Sequence, residues 1–138
     1  MIVVDTGVIV AAANRTDRWH QQCAELLTTA RGPLLLPEAL LTEVGYMLCA
    51  RGGARAEVSF LQDVADGIYD VVSLGDVGKR RVAELVEAYA DLPLGTADAC
   101  VIATAETYRT EKVATVDRKH FTIVRARYVG ALDLLPAE

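Results

Sequence analysis

Four acids stand where the surrounding apolar pattern offers them no ordinary use. Asp5 ends the run Ile2-Val3-Val4, and Asp117 ends Val113-Ala114-Thr115-Val116. Both runs read as buried strands that stop at a turn, Thr6-Gly7 in the first case. Asp98 lies in the first turn of an unusually apolar helix opening at Thr96, on one face with Val101, Ile102 and Ala105. Helical spacing puts Glu43 on the face of Leu40 and Met47, pointing with the core. Singly, each acid has a plain alternative. An Asp at a strand end can be an N-cap or an Asx-turn. One in a first turn gains from the helix macrodipole, and Glu43 can reach water or an Arg from the edge of its stripe.

Together they point elsewhere. In an open parallel α/β sheet, ligands bind outside the carboxyl ends of the strands, so two strand-end acids, a helix-opening acid and an inward helical acid can converge on one edge. Gathered without cations they would repel and raise one another's pKa. A hard divalent cation resolves this: Mg2+ and Mn2+ take oxygen ligands, keep several waters and are held by a few carboxylates plus substrate phosphates. Such ions turn bound water into hydroxide and stabilise the charge that develops in phosphodiester cleavage. Zinc is not indicated, since the only histidines are His20 and His120 and no Cys/His ligand spacing exists. His120 is read as packing in a turn, with no general base needed, and Phe121 as core.

The elements that must position these acids follow from periodicity and breakers. After Asp5 come an apolar helix over 7–13, a polar turn at 14–17 with Asp17 as a cap, and a helix over about 18–30 with Trp19, Cys23, Leu26 and Leu27 inward. A strand at 34–36 leads through Pro37 into a helix over 38–51, closed by Gly52-Gly53. Next are a helix over about 54–65, a strand over 69–74, Asp76 as a cap, and a helix over 77–90 with Val82, Leu85, Val86 and Tyr89 inward. A loop at 91–95 precedes the Thr96 helix, which runs to about 108. A strand over 113–116, a turn at 117–121 and a weakly signalled strand at 127–129 complete the chain. Short strands alternating with helices, with no repeat or linker, make one parallel α/β domain over 1–138 without fixing strand order.

Composition bounds the function. The 138 residues are 52% apolar and 24% charged, enough for one compact core. With 14 Lys+Arg against 19 Asp+Glu, the net charge of −5 excludes binding of nucleic acid or anionic membrane through bulk charge, so any RNA contact must use local basic patches. Arg118 and Lys119 adjoin Asp117 and are the first choice for phosphate contacts, with Arg51 and Arg55 next. Aromatics, at 6%, are too few for an extended base-stacking platform. The opening run is too short and too acidic to be a signal peptide, and no stretch approaches a membrane span. Cys23, Cys49 and Cys100, odd in number and set in apolar helical patterns, read as small core residues in a reducing, cytoplasmic setting.

Ile2-Val3-Val4-Asp5-Thr6, Thr42-Glu43-Val44, Thr96-Ala97-Asp98-Ala99 and Thr115-x-Asp117-x-x-His120-Phe121, in this order and spacing over nearly the whole chain, resemble a PIN-domain ribonuclease of the VapC toxin type. The resemblance implies a three-layer α/β/α sandwich around a mostly parallel, short-stranded sheet and an Mg2+- or Mn2+-dependent endoribonuclease. It also implies a homodimer and inhibition by a VapB-type antitoxin. It further implies that Asp5, Glu43, Asp98 and Asp117 form the metal site, supported by the hydroxyls of Thr6 and Thr115. Gly7 departs from it, standing where relatives usually carry Ser or Asn. Two other functions remain open at this point. One is a binding or regulatory domain on the same scaffold; the other is a phosphatase using Asp5 as an aspartyl nucleophile, although Gly7 stands where that chemistry wants a second Asp.

Overall fold

The computed structural model describes residues 1–137. Its five strands are β1 (Ile2–Val4), β2 (Leu34–Pro37), β3 (Asp70–Val72), β4 (Lys112–Ala114) and β5 (Asp133–Leu135). The six helices are α1 (Thr6–Ala13), α2 (His20–Thr29), α3 (Leu41–Ala65), α4 (Gly75–Ala88), α5 (Thr96–Thr107) and α6 (Arg118–Ile123). The strands form one all-parallel sheet in the order β3-β2-β1-β4-β5. β1 occupies the centre, pairing Val3 with Leu35 on one side and with Val113 on the other.

That order has a consequence for the helices. The chain steps from β1 to β2 to β3 in one direction, then returns past β1 to lay down β4. Because parallel crossovers are right-handed, the reversal puts the helices of the return journey on the opposite face. α1, with α2 and α3 against it, forms one layer, and α5, lying across β1, β2 and β4 with α4 against it, forms the other. The expected three-layer α/β/α sandwich is therefore present. The direction changes between β1 and β4, so the crevice where such sheets take ligands opens at the ends that carry Asp5 and Asp117.

Burial explains why β1 is central. Val3 and Val4 are wholly inaccessible and Ile2 nearly so, each burial contributing about 1.5–3 kcal/mol. The Thr96 helix is buried almost all round, from Ala99 to Glu106, as its near-absence of polar residues requires.

Several boundaries differ from the sequence expectation. The last strand is β5 at Asp133–Leu135, not 127–129; Arg127 and Tyr128 are exposed in a loop closed by a single bridge between Ala126 and Gly130, whereas Leu134 and Leu135 pack on the core. The segment after Asp117 is a helix and not a turn, because Asp117 caps it by accepting the His120 N–H. Asp76 lies inside the first turn of α4, whose N-cap is Leu74. The two helices expected over 38–51 and 54–65 become a 3-10 turn at Glu38–Leu40 and then α3, broken at Gly53, whose φ of 73° only glycine adopts freely. Cys23 and Cys100 are buried as expected, but Cys49 is exposed on α3.

The layer formed by α4 and α5 is locked by a buried ion pair. Glu106, 4% exposed, takes Nε and Nη2 of Arg81 on its two oxygens at 2.8 and 3.0 Å and also accepts the Arg127 N–H at 2.8 Å. Removing the guanidinium leaves a carboxylate desolvated and half-satisfied. Arg81→Ala is expected to cost about 3 kcal/mol of stability, read from the urea midpoint; an unchanged midpoint would show that the pair contributes nothing.

Candidate metal centre

Asp5 leaves β1 at the topological reversal and at once caps α1, its Oδ1 accepting the Thr6 N–H at 2.9 Å. Its Oδ2 accepts the hydroxyl of Thr115, also at 2.9 Å. Thr115 is wholly buried just beyond β4, and its Oγ1 accepts the Asp117 N–H at 3.0 Å. One hydroxyl thus fixes the acids of two neighbouring strand ends relative to each other. Asp117 is held further by α6: its Oδ1 accepts the His120 N–H at 3.1 Å, and its Oδ2 lies 2.6 Å from His120 Nδ1. An ionised carboxylate only accepts, so Nδ1 carries the proton in that contact.

Asp98 arrives from the other layer. It stands in the first turn of α5, half-buried, with Oδ2 accepting the Gly95 N–H at 3.4 Å. Ligand atoms of Asp98, Asp117 and His120 lie within 4.8 Å of one another. Glu43, in the first turn of α3, is exposed and does not point with the core; its charge nevertheless acts on both Asp5 and Asp98. The buried stripe runs from Leu40 through Val44 and Leu48, and Glu43, one residue before Val44 and so about 100° round the helix from it, stands beside the stripe.

The electrostatics record uncompensated negative charge. Burial pushes the Asp5 carboxyl from its ordinary 3.8 up to about 6, the charges of Asp98 and Glu43 adding to it, while the Thr115 and Thr6 hydrogen bonds oppose it. Asp98 is also raised, first by burial and then by Asp117 and Glu43, against the Gly95 N–H and His120. Arg118 does not neutralise them. Its guanidinium donates to the carbonyls of Leu134 and Pro136 and lies over the Trp19 ring, tying the C-terminal segment to α2. Lys119 is exposed beside the acids, whereas Arg51 lines a cleft with Val10, Ala13 and Asn14 at the far end of α1, and Arg55 is exposed one helical turn further on.

The donor set fits a hard divalent cation. Carboxylate oxygens of Asp98 and Asp117 lie together with a ring nitrogen of His120, whereas Asp5 stands outside that cluster, tied to Asp117 through the Thr115 hydroxyl; the hydroxyl of Thr6, next to Asp5, is buried without a hydrogen-bond partner. An orphaned hydroxyl among carboxylates of raised pKa is what an oxygen-rich site looks like when its balancing charge is an ion or its water. Gly7 has a steric reason to be glycine: a Cβ there would lie 2.8 Å from Cγ2 of Val116. His120 is the participant that sequence reasoning left in a packing role. Its signal was the Asp117-x-x-His120 spacing, which sets cap and capped residue side by side.

Residues 2–126 match the PIN domain family model. The chain is 27% identical over 135 residues to "Ribonuclease VapC26" of Mycobacterium tuberculosis, covering 98% of this chain and all of that one. Among solved structures, VapC20 of M. tuberculosis, described as a sarcin-ricin loop cleaving toxin, superposes with a TM-score of 0.78 at 19% identity, over 86% of this chain and 92% of the other. FitAcB from Neisseria gonorrhoeae gives 0.68 at 16% identity, over 99% and 97%. VapBC2 from Rickettsia felis, bound to a promoter DNA fragment, gives 0.68 at 16%, over 99% and 100%.

The raised carboxyl has a signed effect on stability. Because the folded pKa of Asp5 exceeds the unfolded one, its contribution is fully present below the ordinary 3.8 and is lost as pH rises through about 6. In EDTA at neutral pH, Asp5→Asn is therefore expected to be more stable than the parent, by up to about 3 kcal/mol. The gap should close as pH falls toward the ordinary carboxyl range. Melting curves that coincide at neutral pH would contradict this.

Proposed function

The chain belongs to the PIN domain family, and on that premise we propose that it is a metal-dependent endoribonuclease, the toxin of a VapBC-type toxin–antitoxin pair. The observation that carries the proposal is the cluster of Asp98, Asp117 and His120 at the reversal between β1 and β4, to which the buried Asp5 is tied through the Thr115 hydroxyl, with the exposed Glu43 acting on Asp5 and Asp98 through its charge. The carboxylates would hold the ion, and Mg2+ or Mn2+ bound there supplies a hydroxide and a counter-charge for phosphodiester hydrolysis.

The chain's own contribution is preorganisation. Thr115 and the Thr6 N–H hold the Asp5 carboxylate in one orientation, and the N-terminus of α6 with His120 holds Asp117. These contacts fix the orientation of both carboxylates before substrate arrives, the preorganisation that electrostatic catalysis draws on. Lys119, exposed beside Asp117, takes a phosphate of the RNA backbone, and Arg51 and Arg55 reach more distant phosphates. Gly7 stands where a phosphatase using Asp5 as its aspartyl nucleophile would want a second Asp, which tells against that role. The structural likeness to the FitAcB and VapBC2 assemblies supports a VapB-type antitoxin partner, and a homodimer is proposed on the family resemblance alone. Among the described residues no helix is long and apolar enough to cross a membrane, in keeping with work in the cytoplasm.

Purified protein incubated with total cellular RNA is expected to cleave with Mg2+ or Mn2+ and to stop in EDTA. Asp98→Asn and Asp5→Asn should abolish cleavage while the protein stays folded; metal-independent cleavage surviving in both would sink the proposal. Thr115→Val, which leaves every carboxylate in place but frees the orientation of Asp5, should lower activity by about 10–100-fold.

A further inference from the structure

The acid cluster has nothing with which to choose among RNA sequences. Lysines contact phosphates directly and carboxylates would do so only through a shared cation, and phosphates position the strand but carry no sequence information. Selective reading of RNA takes bases that are unstacked and received individually. A cleft suited to that opens on the same carboxyl edge of the sheet, where β2 and β3 end.

Its floor is Pro37 and Val72, and its walls are Val82 of α4 and the thiol-bearing Cys100 of α5. These surfaces are apolar. The polar groups, Glu38, Ser73 and Lys79, are exposed and stand with Ala39 at the mouth. A slot with apolar walls and polar groups only around its opening suits a ligand that is apolar on its faces and polar at its edge. A nucleobase has that form. Glu38 accepts from a ring N–H or exocyclic amine, Ser73 donates or accepts, and the ammonium of Lys79 meets a flanking phosphate.

The cleft is continuous with the acids through shared elements. The first two turns of α5 carry Asp98 toward the cluster and Cys100 toward the cleft. The segment leaving β2 supplies Glu38 and Ala39 to the cleft and, a few residues on, Glu43 to the rim of the acids. β1, β2 and β3 are consecutive in the sheet, and neighbouring strands are about 4.8 Å apart, so the cleft lies one to two strand widths from Asp5. A nucleotide next to the cut bond spans that interval. The other clefts lie elsewhere: one at the amino edge beside Met1 and Pro33, one at the far end of α5 around Glu106, and two between α1 and α3.

We propose that this cleft receives one unstacked nucleobase of the RNA, adjacent to the scissile phosphate, and thereby sets where the strand is cut. The inference rests on the endoribonuclease reading above. It is tested with the full chain in EDTA, by titrating each of the four nucleoside 5′-monophosphates, and inorganic phosphate separately, while following backbone amide shifts. At least one nucleotide is expected to move the amides of Ala39, Val72 and Ser73, and phosphate alone to leave Val72 unmoved. Ala39→Trp, at an exposed position that tolerates bulk, should fill the mouth and remove those shifts. The same variant should raise KM for a cleavable RNA oligonucleotide about tenfold, the scale of one lost base contact, and blur the cut-site preference. Lys79→Ala should raise KM in the same direction.

No nucleotide-induced shift at the cleft, or an Ala39→Trp variant with the parent's KM and cut sites, overturns the proposal. Loss of antitoxin binding by Ala39→Trp with RNA cleavage intact also overturns it, assigning the cleft to a protein. Nucleotides that bind there while no metal elicits cleavage would leave the base site standing and remove the nuclease reading instead.

Discussion

A carboxylate buried at the end of the central strand is the constraint to which the rest of the domain answers. Asp5 follows directly on the least accessible strand of the sheet, so neither it nor the backbone around it can shift to find water. Isolation of that charge would cost several kcal/mol. The fold limits the cost with two donors, the Thr6 N–H of its own helix and the Thr115 hydroxyl of the neighbouring strand. What it does not provide is a cation. Arg118, which follows Asp117 in the chain, is spent on backbone carbonyls and an indole ring. Apart from His120, which lies against Asp117 and whose charge acts on Asp98, the buried acids are met by neutral donors.

The two helical layers divide the labour. α4 and α5 are fastened far from the acids by Glu106, Arg81 and the Arg127 backbone, so the end of α5 that carries Asp98 is steadied by contacts made at its other end. The layer of α1 to α3 contains the break at Gly53 and the exposed Glu43. The clustered acids therefore come from a strand end and from a helix steadied at its far end, and the rim group from a segment less tightly enclosed.

Much of this was legible before the structure, for identifiable reasons. A β-branched run that stops on an acid can hardly be anything but a buried strand with an acid at its end, so β1 with Asp5 and β4 with Asp117 were readable. A helix with so little polar surface has to lie inside, which placed Asp98. Glu43 was misjudged because Leu40 and Met47 were taken to define its face, whereas the buried line runs through Leu40, Val44 and Leu48 and Met47 is only half-buried. β5 was missed because its Leu-Leu pair follows a Gly-Ala-Leu-Asp stretch with no alternation, whereas Arg127-Tyr128-Val129 looks more like a strand in isolation. His120 was undervalued because its proximity to Asp117 depends on a cap that exists only once α6 forms. The cleft beside β2 and β3 had no signature at all, since its walls come from four separate stretches of chain.

Gly7 and Val116 illustrate how such a site constrains its own history. The two residues follow the strand-end segments of β1 and β4, and the space a side chain at position 7 would use is already filled by a valine methyl. Their identities are consequently one choice and not two. A side chain at position 7 is admitted only if the half-buried Val116 turns its methyl away or gives way to a smaller residue, so the fit of either residue can be judged only with the other in view.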